Sequence, residues 1–437
     1  MKKKNKQQSS LSSSEELLEL AVQYGAQEAE VYRVQSESYS VSFQSNRLKQ
    51  IESAESQGTA LRLWQDDSPG VAVAYGEFEP KLLVEKALNL SRLNPAEEIE
   101  ITQGRIEDLS LSAKAEFDNQ TFLEEGKKSI EAILHYYPDV ICSANLDWGE
   151  EKTRLVNSRG LDCQYSDYSF SLMLGAEWVR SDDFLGIYDG ESAHHLPKAQ
   201  PIVDKILKSL AWSQHNVSAP NGKIPILFSS NAATMLWGTV VSALNAKYVL
   251  EDSSPWSDSL LEEVVSPKLR LWQDPTLEQA WCPFDDEGLP TKTVEFISQG
   301  VLQNFYSDLK RAKQLKITSS GNGFRSSLGS YPSPDLVNLI VEGGSSNLEQ
   351  LISGLDCAIL VEQVLGQEPD ISGDFSLNID LGYYIEQGQI KGRIKDTMIA
   401  GNVYTALKEV IALGNDNRWI GSCYTPSLIV DSLSVIG

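Results

Sequence analysis

AEVYRVQSESYSVSFQSNRLKQIESAESQGTALRLW, running from Ala29 to Trp64, is the stretch that decides the fold class. Apolar side chains recur at every second position in several runs, as in Tyr39, Val41 and Phe43 or Leu61 and Leu63. A period of two marks strands with one face buried. Polar interruptions at Ser36–Ser40 and Glu55–Gly58 read as turns, so three antiparallel strands are expected across the stretch.

Upstream, Ser12 to Glu15 supply a helix start and Gly25 a stop for SEELLELAVQYG. Downstream, VAVAYG reads as a further strand, and EPKLLVEKALNLSRL as a helix beginning just after Pro80. A helix, a strand meander and another helix make an α+β arrangement rather than a doubly wound one. Residues between Pro95 and Asp118 are polar and acidic, the composition of a linker or surface excursion. Asn119 to Tyr137 has helical periodicity. A second alternating set runs from Ile141 to Val179, with a hairpin at VNSRGL in which Gly160 supplies a positive φ. Lys205 to His215 closes this half as a helix.

The division expected is a disordered tail over 1–14, an α+β domain over 15–215 with an internal boundary near 95–118, and a strand-rich domain over 216–437. In the last of these, a buried strand leads into a helix of small residues from Asn231 to about Val249. The remainder is mixed sheet, barrel-like, with short helices near 308–315, 347–353 and 401–412. Repeats of 20 to 50 residues are absent, which argues against a solenoid or propeller.

Across 437 residues the formal charge is −24, a field that repels phosphate backbones and argues against direct nucleic-acid binding. No apolar run reaches the ~18 residues of a membrane span, and MKKKNK lacks the apolar segment of a secretory signal. Five scattered cysteines (Cys142, Cys163, Cys282, Cys357 and Cys423) form no CxxC pair, a pattern suited to a reducing cytoplasm. The expectation is a cytoplasmic protein.

Several blocks follow one another in fixed order: GAQEAEVYRV (Gly25 to Val34), Ser45 to Trp64, Pro283 to Arg325, ILVEQVLGQEPDISGDFS (Ile359 to Ser376), IAGNVYTALKEV (Ile399 to Val410) and GND (Gly414 to Asp416). That order, spread over nearly the whole chain, resembles the TldD/PmbA (TldD/TldE) metalloprotease family. In the TldD-type member a helical H-E-x-x-x-H segment and a distal cysteine hold zinc. Reading this chain without gaps from Leu250–Ser254 puts Trp237, Gly238 and Ser242 at those motif positions. None offers a zinc donor of imidazole, thiolate or carboxylate type. The resemblance therefore points to the PmbA/TldE-type subunit, with no catalytic residue, metal or cofactor of its own.

What the resemblance implies is a non-catalytic subunit of a two-chain zinc metalloprotease that takes unfolded peptides. Zinc is expected in the TldD-type partner, whose chemistry cuts the chain threaded between the two. A surface built for a related partner also suits a second copy, so a homodimer stands beside the heterodimer. The resemblance also carries a link to modulation of DNA gyrase, antitoxin turnover and peptide-antibiotic maturation, with any gyrase effect indirect, through proteolysis. Two other readings stay open: an adaptor acting alone without proteolysis, and an independent hydrolase with an unrecognised site.

Nine residues are candidates for substrate or partner contact. Asp285, Asp286 and Glu287 crowd one turn, which either binds a cation or basic peptide or is a solvated turn pairing with Lys292 or Lys310. Gly321, Asn322 and Arg325 lie in the Gly-rich TSSGNGFR, which lacks the P-loop ending and GxGxxG spacing and reads as a plain turn or a loop close to a substrate or partner. Asp374 and Ser376 lie in SGDFS, where Asp374 is either a general acid-base group or a turn aspartate bonded to its own backbone. Cys423 falls near the position of the partner's cysteine ligand, yet no histidine is near it in sequence to make a nucleophile pair, so it reads as a structural thiol. The adjacent His194 and His195 make a poor chelate.

Overall fold

A computed structural model describes residues 14–104, 109–110, 118–180 and 183–437. The tail expected over 1–14 lies outside these but for Ser14, and the linker expected over 95–118 lies partly outside.

The Ala29–Trp64 stretch forms two strands, not three. β1 (Glu28–Gln44) and β2 (Arg47–Gln65) are 17 and 19 residues long, about three times the usual strand length. They pair antiparallel over their whole length. The turn is at Ser45–Asn46, with φ of 51° and 66°, the left-handed pair that a two-residue hairpin requires. Asn46 also fixes it from outside: its Oδ1 accepts from the Cys142 N–H at 2.6 Å. Ser36–Ser40 and Glu55–Gly58 run straight through the sheet. Their polarity reflects solvent, since Arg47 to Ser56 are exposed along the strand. Gly58 serves a close approach, because a Cβ there would meet Leu328 Cδ2 at 2.6 Å.

β3 (Ser68–Tyr75), β4 (Ile141–Asn157), β5 (Asp162–Arg180) and β6 (Asp183–Ala193) build the antiparallel body, of order β3-β2-β1-β4-β5-β6, of a seven-stranded sheet whose remaining strand, Leu109–Ser110, pairs in parallel with Tyr165–Ser166. Gly160 takes the expected positive φ, 83°, in the β4–β5 hairpin. Two helix pairs cover one face at different places along the long strands. α1 (residues 14–23) and α2 (Pro80–Ser91) bury Leu17, Ala21, Val84 and Ala87 against Val31, Leu61 and Leu63. α3 (Asn119–Tyr136) and α4 (Ala199–Trp212) bury Phe122, Ile133, Ile206 and Leu210 against Phe43, Leu146 and Leu172.

In the C-terminal half five strands close on themselves. β7 (Gly222–Phe228), β8 (Cys357–Leu365), β9 (Asp374–Glu386), β10 (Met398–Asn402) and β11 (Leu428–Ile436) pair in the ring β8-β7-β11-β10-β9-β8. Closure removes edges that would otherwise invite stray pairing. Period-two alternation then feeds two cores. Ile226 and Phe228 of β7 face one core, while Leu227 between them joins the α3/α4 core. Leu360 and Tyr383 do the same, so the outer barrel wall and the N-terminal helices share one apolar layer.

A second seam joins the halves through polar groups. The outer edge of β6 is capped by side chains from the other half: Arg393 donates to Phe184 O at 3.0 Å, Gln363 to Tyr188 O at 3.3 Å and Arg418 to Gly190 O at 2.6 Å. These bonds satisfy carbonyls that an open edge leaves bare.

Candidate functional site

α5 (Ser230–Leu244) follows β7 directly, and Ser229 caps it by accepting from the Ala232 N–H at 3.3 Å. One side of the helix, including Ala233, Leu236, Val240 and Ala243, enters the barrel core. Asn231, Thr234, Gly238 and Ser242, spaced by about one and two turns, occupy the other side. Trp237 is 2% exposed and its Nε1–H donates to Thr425 Oγ1 at 2.8 Å, so the indole is a core side chain. A Cβ on Gly238 would meet nothing within 4 Å. Ser242 turns its hydroxyl back to Gly238 O at 3.2 Å. Residues 237 and 242, five apart, are rotated by about 140° around a helix with 3.6 residues per turn.

The first turns of α5, through Asn231, Ala232, Thr234 and Met235, border a cleft of about 520 Å³ between β6, the end of β8, Leu377 and Asp380 of β9 and the turn Trp419–Gly421. Its floor carries Glu362, 4% exposed, and Asp189, 8% exposed. Lys205 Nζ lies 3.1 Å from Asp189 and 3.9 Å from Glu362, and Arg418 Nη1 is 2.7 Å from Asp189. Burial raises the Glu362 carboxyl above the usual range, with Lys205 opposing. A neighbouring cavity of about 570 Å³ shares Asp189, Glu191 and Trp419. Among the described residues, no three His, Cys, Asp or Glu side chains gather into a group able to hold a metal ion.

The acidic turn is not solvated. Asp285 is 0% and Glu287 6% exposed. Lys292 and Lys310 point elsewhere, to Ser319 O and Glu97. Backbone N–H groups take the place of those cations. Asp285 accepts from Glu287 N, Leu289 N and Gly323 N at 3.0, 2.9 and 2.9 Å, and Asp286 accepts from Arg325 N at 2.7 Å. Glu287 accepts from Leu309 N at 2.8 Å. Burial still pushes Asp285 up to about 7, and raises Asp286 and Glu287.

The Gly-rich segment therefore belongs with the acidic turn, 40 residues away. Gly321 sits at φ +73° against Pro290 O, and Asn322 donates to Gln273 Oε1 and Asp335 O, each at 2.8 Å. Arg325 reaches across to the N-terminal sheet, where its Nη2 meets Glu30 Oε1 at 2.6 Å. Arg62 holds the other Glu30 oxygen at 3.0 Å. Six of the nine candidates thus come together in a buried seam between the halves, bonded to each other's backbone and to Gln273, Leu309, Asp335 and Glu30.

Asp374, Ser376 and Cys423 lie elsewhere. Asp374 is exposed and accepts from Asn402 Nδ2 at 2.9 Å, a partner 28 residues away rather than its own backbone. Ser376 is exposed on β9. Cys423 is half-buried, and burial pushes its thiol up to about 12, which suits a structural thiol. His194 is buried and meets Asp167 Oδ1 at 2.8 Å.

Sequence reasoning missed Glu30 and Arg62 in the seam, Asp189 and Glu362 in the cleft, and Lys205 and Arg418 that hold them from the neighbouring cavity. The one available signal was a charge inside an apolar strand, as in AEVY and LVEQV.

Residues 221–437 match the model of the PmbA/TldA metallopeptidase C-terminal domain, and residues 29–91 that of PmbA/TldA metallopeptidase domain 1. The chain is 27% identical to the uncharacterized protein MJ0231 of Methanocaldococcus jannaschii, over 92% of this chain and 95% of that one. It is 23% identical to a metalloprotease PmbA homolog of Haemophilus influenzae, over 96% of this chain and 94% of that one. A metalloprotease TldD homolog from the same organism matches at 26% over 51% of this chain, spanning only 50% of the relative. Among solved structures, TldE from Thermococcus kodakarensis superposes with a TM-score of 0.89 at 22% identity, covering 97% of this chain and 100% of that one.

Proposed function

Because this chain belongs to the PmbA/TldD metallopeptidase family, we propose that it is the subunit without metal in a two-chain peptidase, working with a TldD-type chain that carries the zinc. The observation that carries this reading is α5. At the family's motif positions it has a core tryptophan, a bare glycine and a serine bonded to its own backbone, while its first turns, Asn231 to Met235, border an open cleft. The donor set does not fit zinc, so no step of peptide cleavage is assigned to this chain. Its own residues shape the cleft beside α5, where an extended peptide lies, and the partner performs the hydrolysis.

Size-exclusion chromatography with light scattering of this chain, a TldD-type relative and their mixture tests the pairing. The expected result is a discrete complex containing both chains, with peptidase activity eluting in that peak. Separate elution with full activity in the TldD-type peak would overturn the subunit role.

A further inference from the structure

Among the described residues, the lining of the 520 Å³ cleft includes Asp189, Glu191, Glu362, Glu368 and Asp380, and no Lys, Arg or His. These carboxylates fall into two sets. Asp189 and Glu362, on the floor, are matched by Lys205 and Arg418. Glu191, Glu368 and Asp380 are exposed, and among the described residues none has a cationic partner. Lys205 and Arg418 are drawn onto Asp189 and line the neighbouring cavity instead, which segregates the charges.

The walls add a second preference of the same sign. Tyr188, 45% exposed, and Trp419 place aromatic rings on the cleft, and a ring face attracts ammonium and guanidinium groups. The N-terminal end of α5 works against this, at about half a positive charge. Three free carboxylates outweigh it, and a concave wall of low polarisability concentrates their field.

We propose that this cleft selects peptides carrying Lys or Arg, with Glu191, Glu368 and Asp380 as the residues that set the preference. The inference rests on the reading of the cleft as a peptide site. Acidic peptides are rejected because each of their carboxylates meets three uncompensated negative charges.

The test uses three fluorescent peptides of one length and one Ala/Ser host sequence, carrying three Lys, three Gln or three Glu. Anisotropy is measured with the full chain and with its mixture with the TldD-type relative. Exposed ion pairs in such a setting contribute up to about fivefold each, so the Lys peptide is expected to bind roughly 10- to 100-fold tighter than the Glu peptide. The preference shrinks in 0.5 M salt and collapses to less than about twofold in an E191Q/E368Q/D380N variant, because exposed pairs are screened. Equal binding of all three peptides, or a preference that survives the triple variant, overturns the inference and leaves the peptide site standing. Binding of none of them, by chain or mixture, removes the peptide site itself and the inference with it.

Discussion

Trp237 and Gly238 are adjacent on α5, yet replacing each by alanine is expected to move stability in opposite directions. The Trp237 indole is 2% exposed, packs in the barrel core and holds Thr425 through its N–H. Truncation to alanine leaves a cavity of ring size and strips Thr425 Oγ1 of its donor, a change that costs about 3–5 kcal/mol in closely packed cores. Gly238 has ordinary helical backbone and nothing within 4 Å of a Cβ. Alanine there adds no clash and restricts the unfolded chain, which contributes about 0.5–1 kcal/mol of stability. The assay is chemical denaturation of W237A and G238A against the parent, followed by circular dichroism with the helix and sheet signals read separately. A loss below about 1 kcal/mol for W237A, or a loss of any size for G238A, would refute the placement of these residues, since neither fits the expected large-to-small cost or the Gly-to-Ala gain.

Arg325→Met leaves Glu30 with one guanidinium instead of two in a buried site, so about 3–5 kcal/mol is lost, and limited proteolysis should cut at the seam between the halves sooner than in the parent. Asp285 is raised to about 7 by burial, above its unfolded value near 4, so the folded state keeps the extra proton. Stability is then greatest at the acid end of this window and falls as pH rises from about 4 to 7. Asp286, Glu287 and Glu362, also raised, add in the same direction, and urea midpoints measured across this range that rise with pH would contradict it. The Cys142, Cys163, Cys282 and Cys423 thiols are pushed up to about 12 by burial, so a thiol reagent at pH 7.5 should reach them only after unfolding, and rapid modification in the native state would count against these environments.

The fold class was legible because alternation and helix termini are local signals. The α+β character, the β4–β5 hairpin at Gly160 and the helices capped by Asp308 and Asn347 all stand where turn and cap chemistry placed them. The turns at Ser36–Ser40 and Glu55–Gly58 failed for one reason. A strand of 19 residues leaves the cover of its helices, and beyond that cover both faces meet water, so its polar run looks like a loop. The true turn, Ser45–Asn46, carries a usable local signal in Asn46, which tolerates the left-handed region, and its contact with Cys142 is one that no local pattern reveals.

Part of the candidate site was readable as well. The environments of Trp237 and Gly238 follow from helical periodicity, which puts an apolar residue in the core and a glycine on the open side of α5. The fate of FDDEG needed three dimensions. In sequence it is a solvated turn, and in the fold it is buried because Gly323 and Arg325 bring backbone N–H groups to its carboxylates. The cleft is built from β6, α5, β8 and the Trp419 turn, segments separated by up to about 230 residues, and no spacing rule connects them.

Peptide hydrolysis measured together with bound zinc, for this chain alone, a TldD-type relative alone and an equimolar mixture, separates a metal-free subunit from an independent peptidase. No zinc and no cleavage are expected for this chain alone, and cleavage in the mixture that exceeds the relative alone. Stoichiometric zinc with cleavage by this chain alone would contradict the subunit role.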